Sequence, residues 1–142
     1  MTNLTAEQRE RVSKLADALE SGEYERGKGF LCRITEDGRR QWCCLGVACD
    51  VARKNGLDLS EQNLGNYLSF DGKSACLPSS VMQWYGFDTS NPSVQLASYV
   101  SVPSLAGYIE AADANDNGAT FAELAQGFRD MYVNDNSTTS VG

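Results

Sequence analysis

The chain has 142 residues, a net charge of −7 and no histidine. That length leads one to expect one domain able to bury a core without staples, and the charge argues against nonspecific binding to duplex nucleic acid, where phosphate neutralisation dominates affinity. The missing histidine excludes Ser-His and Cys-His nucleophiles, imidazole general bases and histidine metal ligands.

Five cysteines, an odd count, fit a reducing compartment better than a disulfide framework. No stretch approaches the roughly 18 to 20 apolar residues of a membrane span, and the N-terminus lacks an apolar signal core, so a cytoplasmic protein without membrane contact is expected.

Thr5, with Gln8 three residues on, makes a capping box for a first helix. Val12, Leu15, Ala16 and Leu19 form its buried stripe, and Gly22 follows as the stop. Gly27 to Gly29 introduces a hairpin in which Phe30, Cys32 and Ile34 alternate with Leu31, Arg33 and Thr35. Asp37-Gly38 supplies the turn, and Arg40 to Cys43 returns as the second strand. That strand feeds the strongest helical signal in the chain, beginning at Cys44. Cys44, Leu45, Val47, Ala48, Val51 and Ala52 share a broad apolar arc, while Gly46, Cys49, Asp50, Arg53 and Lys54 fall on the other side. Asp50 and Lys54 can pair at i,i+4, and Gly56 serves as the C-terminal stop.

Leu57 to Gly65 reads as a loop or short helix. Tyr67 to Phe70, Asp71-Gly72 and Ala75 to Leu77 suggest a second small hairpin. Pro78 starts a short helix with apolar Val81, Met82, Trp84 and Tyr85, ended by Gly86. Pro92 and Pro103 discourage a long helix between them, leaving Val94 to Val102 irregular or extended. Ser104 caps an expected helix carrying Leu105, Tyr108 and Ile109, and a polar break, Asp113 to Gly118, separates it from the last one. Phe121, Leu124, Ala125, Phe128 and Tyr132 give that last helix its stripe, with Thr120 and Glu123 as a second capping box.

The expected architecture is therefore α+β: a small single domain over residues 1–133, with four to five helices packed on one or two short antiparallel hairpins. A polar, flexible tail is expected at 134–142.

Charge is unevenly distributed. Residues 26–54 hold seven basic side chains against three acidic ones, +4, whereas residues 55–142 hold two against ten, −8. A basic island in an acidic protein reads either as an anion site or as an ordinary solvated hairpin. Arg26, Lys28, Arg33, Arg39 and Arg40 are its candidate ligand contacts, with Trp42 and Tyr24 as stacking surfaces. Those aromatics read equally well as core. No phosphate loop or dinucleotide fingerprint is present.

Two metal readings fall short. Asp113, Asn115, Asn117 and Gly118 match EF-hand loop positions 1, 3, 5 and 6, but Leu124 stands where position 12 demands a bidentate carboxylate. Cys32, Cys43, Cys44 and Cys49 lack any C-x-x-C pair, so they read as small buried residues. A thiol near a helix N-terminus, Cys43 or Cys44, can still be acidified. The reading includes no metal, no cofactor and no catalytic residue.

Gly22-Glu23-Tyr24, Trp42-Cys43-Cys44-Leu45-Gly46-Val47, Cys49-Asp50, Leu77-Pro78, Trp84-Tyr85-Gly86-Phe87 and Asn115-Asp116-x-Gly118-x-Thr120-Phe121-x-Glu123 are informative together. Across residues 15–130 the chain resembles a group of small, uncharacterised proteins encoded by tailed phages, with related domains in actinobacteria. The resemblance implies a phage-type accessory protein in the host cell cytosol. The function expected is non-enzymatic counter-defence, by capture of a small anionic, nucleotide-derived ligand. An acidic protein-binding inhibitor of a host enzyme is the second expectation, and a structural or virion-associated accessory protein the third. Partners are thus a small anionic ligand or a host protein, with room for a homo-oligomer.

Overall fold

A computed structural model describes residues 4–134. The proposed tail at 134–142 lies outside it except for Asn134.

Helix α1 (Ala6–Glu20) begins on the capping box from Thr5 and Gln8 and buries Val12, Leu15, Ala16 and Leu19. Three strands follow: β1 (Glu25–Arg26), β2 (Cys32–Ile34) and β3 (Arg40–Trp42). β2 and β3 pair as the anticipated hairpin, while β1, too short to show a period, adds in parallel to the far side of β3. Helix α2 (Cys44–Lys54) leaves β3 after one residue.

All nine residues from Cys44 to Ala52 are buried, so α2 has no wet face until its last turn. The expected polar side holds only at Arg53 and Lys54, because Gly46, Cys49 and Asp50 are covered as well. Gly46 explains how neighbours come so close. A β-carbon there would overlap the Leu31 carbonyl oxygen, so α2 presses directly on the backbone leading into β2.

The second hairpin differs from the expectation. Strand β5 (Tyr67–Phe70) takes its partner from upstream, β4 (Glu61–Asn63), and also joins β2. The result is a five-stranded mixed sheet in the order β1-β3-β2-β5-β4. Ala75 to Leu77 forms no strand, and only an isolated bridge ties Phe70 to Lys73. β4 lies at the sheet edge with all three residues exposed, so no apolar alternation marks it.

Helix α3 (Ser79–Tyr85) starts after Pro78 and stops at left-handed Gly86, as anticipated. Strands β6 (Ser93–Leu96) and β7 (Gly107–Glu110) then make a separate two-stranded antiparallel sheet. The helix expected after Ser104 is thus replaced by a 3₁₀ turn, Pro103–Leu105, and a strand. Tyr108 and Ile109 look helical by spacing, yet Gly107 turns the chain with φ +98° and the strand that follows pairs with β6. The supposed polar break is largely helical as α4 (Ala111–Asp116), before α5 (Phe121–Phe128) and a π turn, Arg129–Val133.

The buried residues form one continuous core joining helices and both sheets. α1 packs on α5, α2 and α3, and α5 lies on β6 at Gly127. Tyr85, fully buried, donates its hydroxyl to the Ala48 carbonyl at 2.7 Å, which satisfies the polar tip of a core aromatic.

Gly46→Ala is the sharpest test of this packing. The added methyl meets backbone rather than a movable side chain, so a loss of about 3 kcal/mol or more is expected in urea melts. A loss below about 1 kcal/mol would show that α2 can lift off β2 freely.

Candidate functional site

Strand alternation sorts the basic island onto two faces. Register places Glu25 opposite Gln41, Gln41 opposite Arg33, and Arg33 opposite Tyr67, forming one row across four strands. The neighbouring row, Arg26, Trp42, Cys32 and Leu68, points to the core side. Arg33 is thus on the open face, whereas Arg40, two residues before Trp42, lies on the α2 side.

On the α2 side the cations are occupied. Asp50 is 4% exposed and holds three partners: the Tyr24 hydroxyl donates at 2.5 Å, Lys54 lies at 3.3 Å, and Arg53 makes an ion pair. Arg53 also pairs with Glu61, which Arg40 reaches at 3.5 Å. Burial pushes the Asp50 carboxyl upward, but the bonds from Tyr24, Arg53 and Lys54 outweigh it and leave it below the usual carboxylate range. Burial, then the bond to Asp50, pushes the Tyr24 phenol up to about 12. Trp42 is 6% exposed, set edge-on to Tyr24 and stacked on Phe70, so its faces are core surface.

Arg26 serves the fold. Its guanidinium donates to the Ala119 carbonyl at 3.0 Å and to the Asn115 carbonyl. Asn115, wholly buried, accepts from the Cys44 amide at 3.3 Å and donates to the Gly27 carbonyl at 2.9 Å. Asp116 accepts from the Gly29 amide at 3.1 Å. The residues that suggested a calcium loop are therefore helix, cap and clamp.

The open face is arranged differently. Arg39 grips Glu25 with two bonds of 2.8 and 2.7 Å and Asp37 with two more, and Gln41 donates to Glu25 at 2.5 Å. The Arg33 side chain, in the middle of the row, has no ion-pair or hydrogen-bond partner among the described residues, and neither does that of Lys28, in the loop between β1 and β2. Beside Arg33, Tyr67 stacks on Phe30 with ring centroids 4.5 Å apart and planes 18° apart. Phe30 and Tyr67 were missed in the sequence. For Tyr67 the usable signal was alternation, since with Cys32 and Ile34 inward Arg33 and its cross-strand neighbour face out. Phe30 shares the parity of Cys32, yet it precedes the strand and Leu31 is the buried residue there.

The thiols are quiet. Burial pushes Cys43 up to about 11 and Cys32 up to about 12, and Cys44 well above its ordinary value. Amides at the start of α2 do pull Cys43 downward, but burial prevails, so the anticipated acidification does not occur. Cys76 alone is partly exposed.

A family described as Domain of unknown function (DUF8296) matches residues 8–131, from within α1 to within the π turn. The chain belongs to that family. Searches of curated proteins and of solved structures found no match. Among the described residues, no helix is long and apolar enough to cross a membrane.

Two outcomes check this geometry. Asp50→Asn should cost about 2–4 kcal/mol at pH 7, since it leaves paired cations without their anion. The folded Asp50 carboxyl titrates below the unfolded one. Its contribution is therefore complete above about pH 4 and is lost as pH falls, so the gap between wild type and variant should close in acid melts. Separately, Ellman's reagent should label Cys76 promptly on the native chain and the four buried thiols only on unfolding. Prompt release from more than one thiol would contradict the burial of α2.

Proposed function

We propose that the protein works by binding rather than catalysis, capturing a small anionic, nucleotide-derived ligand on the open face of the larger sheet. The observation that carries this reading is Arg33, a cation without a partner among the described residues, next to the stacked Phe30–Tyr67 pair. A free guanidinium offers a planar fork to a phosphate, and a charge-assisted bond of this kind contributes about 1.5–3 kcal/mol. An aromatic surface one strand away adds about 1–3 kcal/mol for a stacked base. Glu25 does not oppose the anion as a bare charge would, because Arg39 and Gln41 hold it.

Lys28 supplies further positive potential, Arg39 is engaged by the carboxylates of Glu25 and Asp37, and Arg26, Arg40, Trp42 and Tyr24 support the sheet from behind. The phage setting comes from the sequence resemblance. There, an accessory protein that sequesters a nucleotide signal acts in counter-defence without turning it over.

Thermal melting in a panel of cyclic mononucleotides, cyclic dinucleotides and ADP-ribose tests the proposal. One of these at about a hundred times its dissociation constant should add close to 2.7 kcal/mol, a rise of several degrees. Arg33→Glu should abolish that rise while leaving the unliganded melt within about 2 °C, and Arg40→Glu should keep it. No rise with any panel member at millimolar concentration retires the reading.

A further inference from the structure

From β5 across to β1 the open row of the larger sheet runs Tyr67, Arg33, Gln41, Glu25. Neighbouring strands lie about 5 Å apart, so a ring, a guanidinium, an amide and a carboxylate follow one another at roughly equal steps. A ligand lying across the strands meets them in that order.

Both ends of the row are fixed. Tyr67 is stacked on Phe30. Glu25 accepts two bonds from Arg39, at 2.8 and 2.7 Å, and a third from the Gln41 amide nitrogen. Arg39 also donates from Nε to Asp37 at 3.0 Å. One cation thus serves two anions, and this clamp carries a net charge of −1. The bond from Gln41, then that from Arg39, holds the Glu25 carboxyl below its ordinary range. The Thr35 hydroxyl, then Arg39, does the same for Asp37, so both carboxylates stay ionised at neutral pH.

We propose that the ligand captured on this face is a nucleotide with one phosphodiester charge, of the cyclic 3′,5′-monophosphate kind, and that Glu25 rejects nucleoside polyphosphates. The inference rests on the reading of this face as a nucleotide site. The base covers the Phe30–Tyr67 pair, one ribose spans the step from β5 to β2, and the phosphate meets Arg33. Glu25, two strands further on and held by Arg39, leaves that phosphate undisturbed. The second and third phosphates of a triphosphate continue along the row to Gln41 and Glu25. There they give up water and meet a negative clamp instead of a free cation. Lys28 lies outside the strands, between Gly27 and Gly29, whose carbonyl and amide are held by Asn115 and Asp116. It therefore stands apart from the row along which those phosphates extend.

The test is calorimetric titration of the full chain, without magnesium, comparing each cyclic 3′,5′-mononucleotide with the 5′-triphosphate of the same base. One cyclic nucleotide should bind at least about tenfold tighter than its triphosphate at 50 mM salt, and the ratio should shrink at 300 mM because the clamp is exposed. Glu25→Gln should narrow the ratio at least about threefold, and Arg39→Gln, which leaves the carboxylates without their cation, should widen it. A residue serving only the fold would shift both nucleotides alike. Equal or tighter binding of the triphosphate overturns the proposal but leaves the anion site at Arg33 standing, as does a Glu25→Gln variant with an unchanged ratio. Triphosphate binding that Lys28→Ala abolishes does the same, since the terminal phosphates then sit on Lys28. Saturation by ADP-ribose or a cyclic dinucleotide, with none by any cyclic mononucleotide at 1 mM, also removes this inference alone. No binding by any of these compounds removes it together with the capture reading.

Discussion

The fold turns on one buried amide. A helix that begins inside a protein must find acceptors for its first N–H groups, and a cysteine at the N-cap offers none by side chain. α2 begins this way at Cys43, in the densest part of the core. Asn115, from the far end of the chain, supplies an acceptor to the Cys44 amide and spends its donor on Gly27. Arg26 then binds the carbonyls of Asn115 and Ala119, so three segments distant in sequence close on one point. The N-D-x-G-x-T-F-x-E segment accordingly reads as construction. Asn115 caps a remote helix, Asp116 receives the Gly29 amide, Gly118 turns at φ +112°, and Thr120 with Glu123 starts α5.

This clamp also decides what the basic island can do. Arg26 is drawn into the α4–α5 junction, and the acids around α2 take Arg40, Arg53 and Lys54. Seven cations in sequence become a scaffold with a small accessible remainder on the opposite face. Screening by salt weakens exposed pairs such as Arg39 with Asp37, but Asp50 is shielded from it by burial. The sheet is therefore tied by a buried carboxylate on its covered side and by exposed pairs alone on the other.

Much of the fold was legible because its elements carry local punctuation. α1 and α5 have complete capping boxes, α3 has Pro78 before it and Gly86 after it, and the β2–β3 hairpin has its Asp37-Gly38 turn. The misread parts lack such marks. β4 is an exposed edge of Glu, Gln and Asn, whose pairing depends on a neighbour rather than on its own pattern. Gly107–Glu110 has helical spacing but is claimed by β6, and Ala111–Asp116 is a helix whose polar residues spell a turn. The candidate site was half legible. Its charge was evident, but proximity in sequence concealed that Arg33 and Arg40 face opposite ways, and no pattern joined Phe30 to Tyr67.

The ionisation shifts that this fold imposes share one sense. General acid–base work at neutral pH needs a group moved toward neutrality. Every group that this fold moves clearly is moved the other way: carboxyls at Glu20, Glu25, Asp37, Asp50 and Glu123 downward, thiols and phenols at Cys32, Cys43, Cys44, Cys49, Tyr24, Tyr85 and Tyr132 upward. The causes are burial and satisfied hydrogen bonds, which fix charges in place rather than poise them for transfer. What the larger sheet presents to its surroundings is one cationic side chain, Arg33, beside the stacked rings of Phe30 and Tyr67.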